Sequence, residues 1–73
     1  MVTEFDRIMD KISDRQDGRI YQMWRVYQMW RAWMVMPEPR LQFHEIISRE
    51  FGLSLNEAYI LVRHLFPSNR SGQ

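Results

Sequence analysis

The sequence predicts an all-α domain of four short helices. Apolar residues recur at helical spacing near the start of the chain and in its last third. The breaks between these stretches hold Gly, Pro, or a Ser that opens a capping pattern. The middle stretch is rich in Met, Gln and Arg, which are good helix formers.

The first helix is expected over about residues 3–15. Thr3 suits an N-cap with Asp6 three residues on, and Phe5, Ile8, Met9 and Ile12 fall at i, i+3, i+4 and i+7. Asp6, Arg7, Asp10 and Lys11 take the opposite side. "RQDGR" then breaks the apolar period, with Asp17-Gly18 as a turn or cap signal. The second helix covers about residues 19–36 and ends at "MPEPR", because two prolines in three residues cannot continue a helix.

The third helix is expected over about residues 40–51, with Leu41, Phe43, His44, Ile47 and Phe51 toward one side and Gly52 as its C-terminal cap. "SLNE" follows at once. Ser54 and Glu57 make the S-x-x-E capping box, each side chain accepting from the other residue's orphan backbone N–H. The fourth helix runs over about residues 54–66, burying Leu55, Ala58, Tyr59, Val62, Leu65 and Phe66 before Pro67 stops it. Residues 1–67 then form one domain, and 68–73 ("SNRSGQ") a polar tail expected to be disordered.

The second helix contains a near-duplicate, YQMWRV followed by YQMWRA. Its real unit is three residues. Positions 21, 24, 27, 30 and 33 are aromatic, 22, 25, 28 and 31 are Gln or Arg, and 23, 26, 29, 32 and 35 are aliphatic. Each step of three falls about 60° short of a full turn, so every stripe winds around the helix. Ile20, Met23, Trp24 and Tyr27 are expected to share one side, and Met29, Trp30, Trp33 and Met36 another, leaving no single solvent face. A helix apolar nearly all round must be covered all round. The expected cover is a second copy of the chain, with Met23, Trp24, Tyr27, Trp30 and Trp33 at a homodimer interface, whose cores favour such residues. A long strand is the alternative reading of this stretch.

Seventy-three residues bury a modest core, and a chain of this size normally needs additional support. With no cysteine, disulfides and thiolate metal sites are excluded. Dense packing or oligomerisation remains, and 14% aromatic and 45% hydrophobic residues supply the material. Net charge is +1, but unevenly spread. Residues 1–17 carry −2, residues 18–36 carry +3 with no acid, residues 37–66 carry −1, and Arg70 adds one. No stretch reads as a signal peptide or a membrane span, so a cytoplasmic protein with no membrane partner is expected.

Residues 44–65, "HEIISREFGLSLNEAYILVRHL", resemble a helix-turn-helix DNA-binding motif. The motif's small residue, turn glycine and branched apolar residue correspond to Ser48, Gly52 and Leu61, with Ile47, Phe51 and Leu53 supporting. Ser48 stands where Ala is usual, and Ala58 where Val or Ile is expected. The resemblance implies that the second helix of the pair enters the major groove of double-stranded DNA with Ser54, Asn56, Tyr59, Ile60 and Arg63 toward the bases. Asn56 would suit adenine and Arg63 guanine, while Arg40 and Arg49 would contact phosphates. A plain αα-hairpin with a glycine turn accounts for the same residues without DNA.

His44 and His64 are not spaced as convergent metal ligands, and no phosphate loop or nucleophile–base pattern occurs. His44 reads as a partly buried structural residue and His64 as solvated. No metal, cofactor or enzymatic activity is expected. Two functions remain open. One is a small DNA-binding regulator, dimeric through its central helix. The other is a non-enzymatic interaction module or inhibitor, like many compact phage proteins, that binds and blocks a larger assembly. Arginines 40, 49 and 63 lining one surface would favour the first. Exposed Trp30 and Trp33 with scattered arginines would favour the second.

Overall fold

A computed structural model describes residues 2–13 and 16–67, with residues 16 and 17 described by their backbone alone. Among the described residues it contains four α-helices and no strand: α1 (Glu4–Ile12), α2 (Gln16–Met34), α3 (Phe43–Phe51) and α4 (Leu55–Leu65). None is long and apolar enough to cross a membrane. The expected tail over 68–73 lies outside the described residues.

Helix α1 starts where its cap predicts. Thr3 is extended, its hydroxyl accepts from the Asp6 N–H at 3.1 Å, and Asp6 accepts from the Thr3 N–H at 3.2 Å. The helix is shorter than expected, since Ser13 turns extended after Ile12. The break therefore precedes the Asp17-Gly18 signal, and Gly18 lies within the first turn of α2. Glycine can mark a turn, but it is tolerated in a helix at a modest cost. Helix α2 ends at Met34, just before the proline pair.

The α3–α4 hairpin is closed by a tight turn. Gly52 sits in the left-handed region at φ 68° and ψ 32°, where a side chain would be strained. Its N–H and the Leu53 N–H both reach the Ser48 carbonyl, the latter at 3.0 Å. The Ser48 hydroxyl also donates to the Leu53 carbonyl at 2.6 Å. Ser48 thus fastens the turn in a way that Ala at this position could not. Ser54 then caps α4: Glu57 N–H donates to its hydroxyl, and its own N–H donates to the Glu57 carboxylate, both at 3.1 Å.

The core forms between this hairpin and the two earlier helices. Ile8 and Met9 of α1, Val26 of α2, Phe43 and Ile47 of α3, Leu53 of the turn, and Ala58 and Leu61 of α4 are all buried. These include the apolar hairpin positions Ile47, Leu53 and Leu61. Leu41, Leu55 and Tyr59, expected on buried faces, are instead exposed. Leu41 precedes the first turn of α3. Leu55 and Tyr59 flank the stripe through Ala58 and Leu61, and the helix needs only that stripe to meet its neighbours.

Surface ion pairs connect successive layers. Arg19 of α2 reaches Asp6 of α1 at 2.9 Å, Arg25 of α2 reaches Glu50 of α3 at 2.7 Å, and Lys11 of α1 reaches Glu57 of α4 at 2.6 Å. Each is exposed enough to contribute little stability by itself. Together they join α1 to α2, α2 to α3 and α1 to α4.

Candidate functional site

The winding stripes of α2 resolve into a division of labour. In its first half the aliphatic column faces inward: Val26 is fully buried and Met23 and Met29 pack against the core, whereas Tyr21, Trp24 and Tyr27 are 58%, 56% and 45% exposed. In the second half the columns exchange places. Trp30 and Trp33 turn onto the core, while Ala32 and Val35 face solvent. The drift of about 60° per three-residue step produces this exchange near residue 29. The inward stripe is therefore continuous, formed first by aliphatic and then by aromatic side chains.

The interface residues expected between copies consequently separate. Met23, Trp30 and Trp33 pack within this chain. Trp30 stacks on Phe66 with ring centres 4.9 Å apart and planes at 17°. Trp33 lies 5.6 Å from Phe43, and its indole N–H donates to the Leu41 carbonyl at 2.7 Å. These three side chains are partly buried within the chain, Trp30 and Trp33 against Phe66 and Phe43. Trp24 and Tyr27 remain outside. Met23 and Trp24 do not share a side, since adjacent helical residues project about 100° apart.

The outward side of α4 carries Asn56, Tyr59 and Arg63, with exposed Ser54 at its start. Arg63 is partly committed: its guanidinium donates to the Tyr59 hydroxyl at 2.7 Å and lies 5.6 Å from that ring's centre. Tyr59 also meets the half-buried His44 edge-on at 5.4 Å. Ile60 is half-buried and turns toward α1, where it lines a shallow groove with Phe5 and His64. The His64 and Phe5 rings stack at 3.8 Å.

The arginines expected on one surface come from three segments, the link before α3, α3 itself and α4. Arg40 folds back over the Trp33 ring, 4.2 Å from its centre, and donates to the Met36 carbonyl at 2.9 Å. In this position the Trp33 ring covers one face of its guanidinium and the Met36 carbonyl takes one of its N–H groups. Arg49 is exposed on α3. Residues 44–65 set Arg49 and Arg63 against Glu45, Glu50 and Glu57.

Two carboxylates have lowered proton affinity. The Arg19 guanidinium, followed by the Thr3 backbone and hydroxyl, holds Asp6 below the usual aspartate range. The Lys11 ammonium, followed by the Ser54 N–H, does the same to Glu57. Both sit at helix caps, so they read as structural. Among the described residues no three His, Asp or Glu side chains converge as metal ligands would.

No protein-family model, curated protein or solved structure matches the chain. The aromatic side of α2 and the outer side of α4 are the two faces that carry exposed aromatic side chains among the described residues.

Proposed function

We propose that this protein is a non-enzymatic interaction module that presents the exposed aromatic side of α2 to a protein partner. The observation that carries the reading is the Tyr21, Trp24 and Tyr27 surface, left open by a fold that covers Trp30 and Trp33. Exposed aromatics in one cluster favour a protein interface, since each offers a large apolar area at small entropic cost. The surrounding charge agrees. Arg19 and Arg25 are held by Asp6 and Glu50 of the same chain, so two of the three arginines of α2 are already neutralised.

The second reading, a helix-turn-helix DNA binder, is supported by the α3–α4 turn and by the outward Asn56, Tyr59 and Arg63. Its weakness is phosphate neutralisation, which supplies much of DNA affinity, because Arg40 is engaged by Trp33 and acids outnumber bases in the hairpin. If DNA were bound, Arg63→Ala would weaken the cognate complex by roughly 1–3 kcal/mol and relax selectivity at one base.

One pair of measurements separates the readings. A photoreactive phenylalanine analogue in place of Tyr21 is expected to crosslink to protein, and a low-salt titration with random duplex DNA is expected to show no binding. Measurable DNA affinity that Arg63→Ala removes and Trp24→Ala leaves intact would overturn the interaction reading in favour of the second.

A further inference from the structure

Ile20, Trp24, Tyr27, Arg31 and Met34 are all exposed on α2. They follow one another at steps of four, three, four and three, the 3.5-residue spacing of a helix–helix seam. This seam lies about 100° around the helix from the inward stripe through Met23, Val26, Trp30 and Trp33, and no described element of the fold fully covers it. We propose that a second copy of the chain does so, with the two α2 helices packed antiparallel about a two-fold axis near the middle of the seam. The proposal rests on the interaction reading above and names its partner.

The first argument is self-complementarity. Tyr27 stands seven residues from both Ile20 and Met34, with Trp24 on one side and Arg31 on the other. Reversing the helix about Tyr27 therefore sets each Ile20 beside the partner's Met34 and each Trp24 near the partner's Arg31, the reciprocal pairing of a two-fold interface.

The second argument is charge. Arg31 is the one ionised residue of the seam, and positions 18–34 contain no carboxylate. A parallel, in-register pair would place two Arg31 guanidinia side by side. The antiparallel pair instead sets each against the aromatic half of the other seam, formed by Trp24 and Tyr27 of the partner subunit. Arginine over an aromatic ring is already a recurring contact within this chain, as Arg25 lies 4.9 Å from the Phe51 ring centre and Arg40 4.2 Å from that of Trp33. Opposed helix dipoles favour the same orientation.

The third argument is area. Ile20, Tyr21, Trp24, Tyr27, Met34 and Val35 are between 45% and 83% exposed. Together with Arg31 they offer several hundred Å² of mostly apolar surface per copy, a large part of the roughly 800 Å² per partner that a standard stable interface buries.

The test uses the full chain. Sedimentation equilibrium at micromolar concentration is expected to give twice the chain mass for the wild type and for the control Leu55→Ala, which removes an exposed leucine elsewhere. Trp24→Ala is expected to weaken association by roughly tenfold or more while leaving the circular dichroism spectrum unchanged. Because the chain has no cysteine, single Ile20→Cys and Met34→Cys variants report orientation. A short bismaleimide should join the two variants to each other in a mixture and neither to itself.

A monomeric wild type, or a dimer indifferent to Trp24→Ala, would overturn the second-copy assignment. Self-crosslinking of each single variant would overturn the antiparallel one. The interaction reading would still be judged separately by the Tyr21 crosslink and the DNA titration, so the two failures are distinct.

Discussion

Lys11 of α1 holds Glu57 of α4 through a 2.6 Å contact from Nζ to Oε2, while the other oxygen of that carboxylate accepts the Ser54 N–H at 3.1 Å. Asp6 divides its oxygens in the same way, one to Arg19 at 2.9 Å and the other to Thr3. Each carboxylate thus completes a helix cap and connects that helix to another. Local structure and tertiary arrangement are coupled at two side chains.

Acid should uncouple them. The folded chain lowers the proton affinity of both carboxylates, so the unfolded chain binds more protons in acid and stability rises with pH there. The contribution is complete above the unfolded values of about 4 and is lost as pH falls through the lowered folded values. Urea midpoints measured between roughly pH 6 and pH 2 should fall on the acid side, and Asp6→Asn with Glu57→Gln should flatten that dependence. An equally steep fall in the double variant would refute this assignment.

The cap itself can be tested at Ser54. Ser54→Ala removes the acceptor of the Glu57 N–H and should lower stability by about 1 kcal/mol, with Ser54→Asp recovering most of it. Chemical denaturation is the measurement, and an unchanged midpoint for Ser54→Ala would contradict the capping role.

Two glycines should respond in opposite directions. Gly52 has positive φ and no atom within 4 Å of an added Cβ, so Gly52→Ala should cost about 1 kcal/mol from backbone strain alone. Gly18 is helical, and an added Cβ would meet the Ser13 side chain at an ordinary 3.7 Å. Gly18→Ala should raise stability by up to about 1 kcal/mol. Thermal melts that rank the two variants the other way would place the turn incorrectly.

The tryptophans should also divide. Trp30→Ala breaks the stack on Phe66 and opens a gap in the half-covered inner face, and should cost about 2–3 kcal/mol. Trp24→Ala, at concentrations where the chain is monomeric, should change stability by less than about 0.5 kcal/mol. Any larger effect of Trp24→Ala should appear only as the concentration dependence of the melt, the signature of association. Equal losses for both variants in the monomer would refute the inside–outside division.

Much of this molecule was decided locally and is legible in the residues. Four helices, the cap at Thr3, the Gly52 turn and the Ser54–Glu57 box follow from groups within a few positions of one another, whose hydrogen bonds depend little on the rest of the chain. The three-residue unit of α2 likewise foretold winding stripes. Other features required partners distant in sequence. Whether Asp17-Gly18 ended a helix or entered one depended on where α1 stopped packing. Which tryptophans turned inward depended on where the α3–α4 hairpin lay against α2. Arg40 came to lie over the Trp33 ring because that ring and the Met36 carbonyl stood within its reach in the folded chain. The sequence by itself determined the elements and their caps, since those are short-range. The tertiary structure alone decided which side of a helix apolar on every side would remain open, because that choice is made by the area and charge of the neighbours that cover the rest.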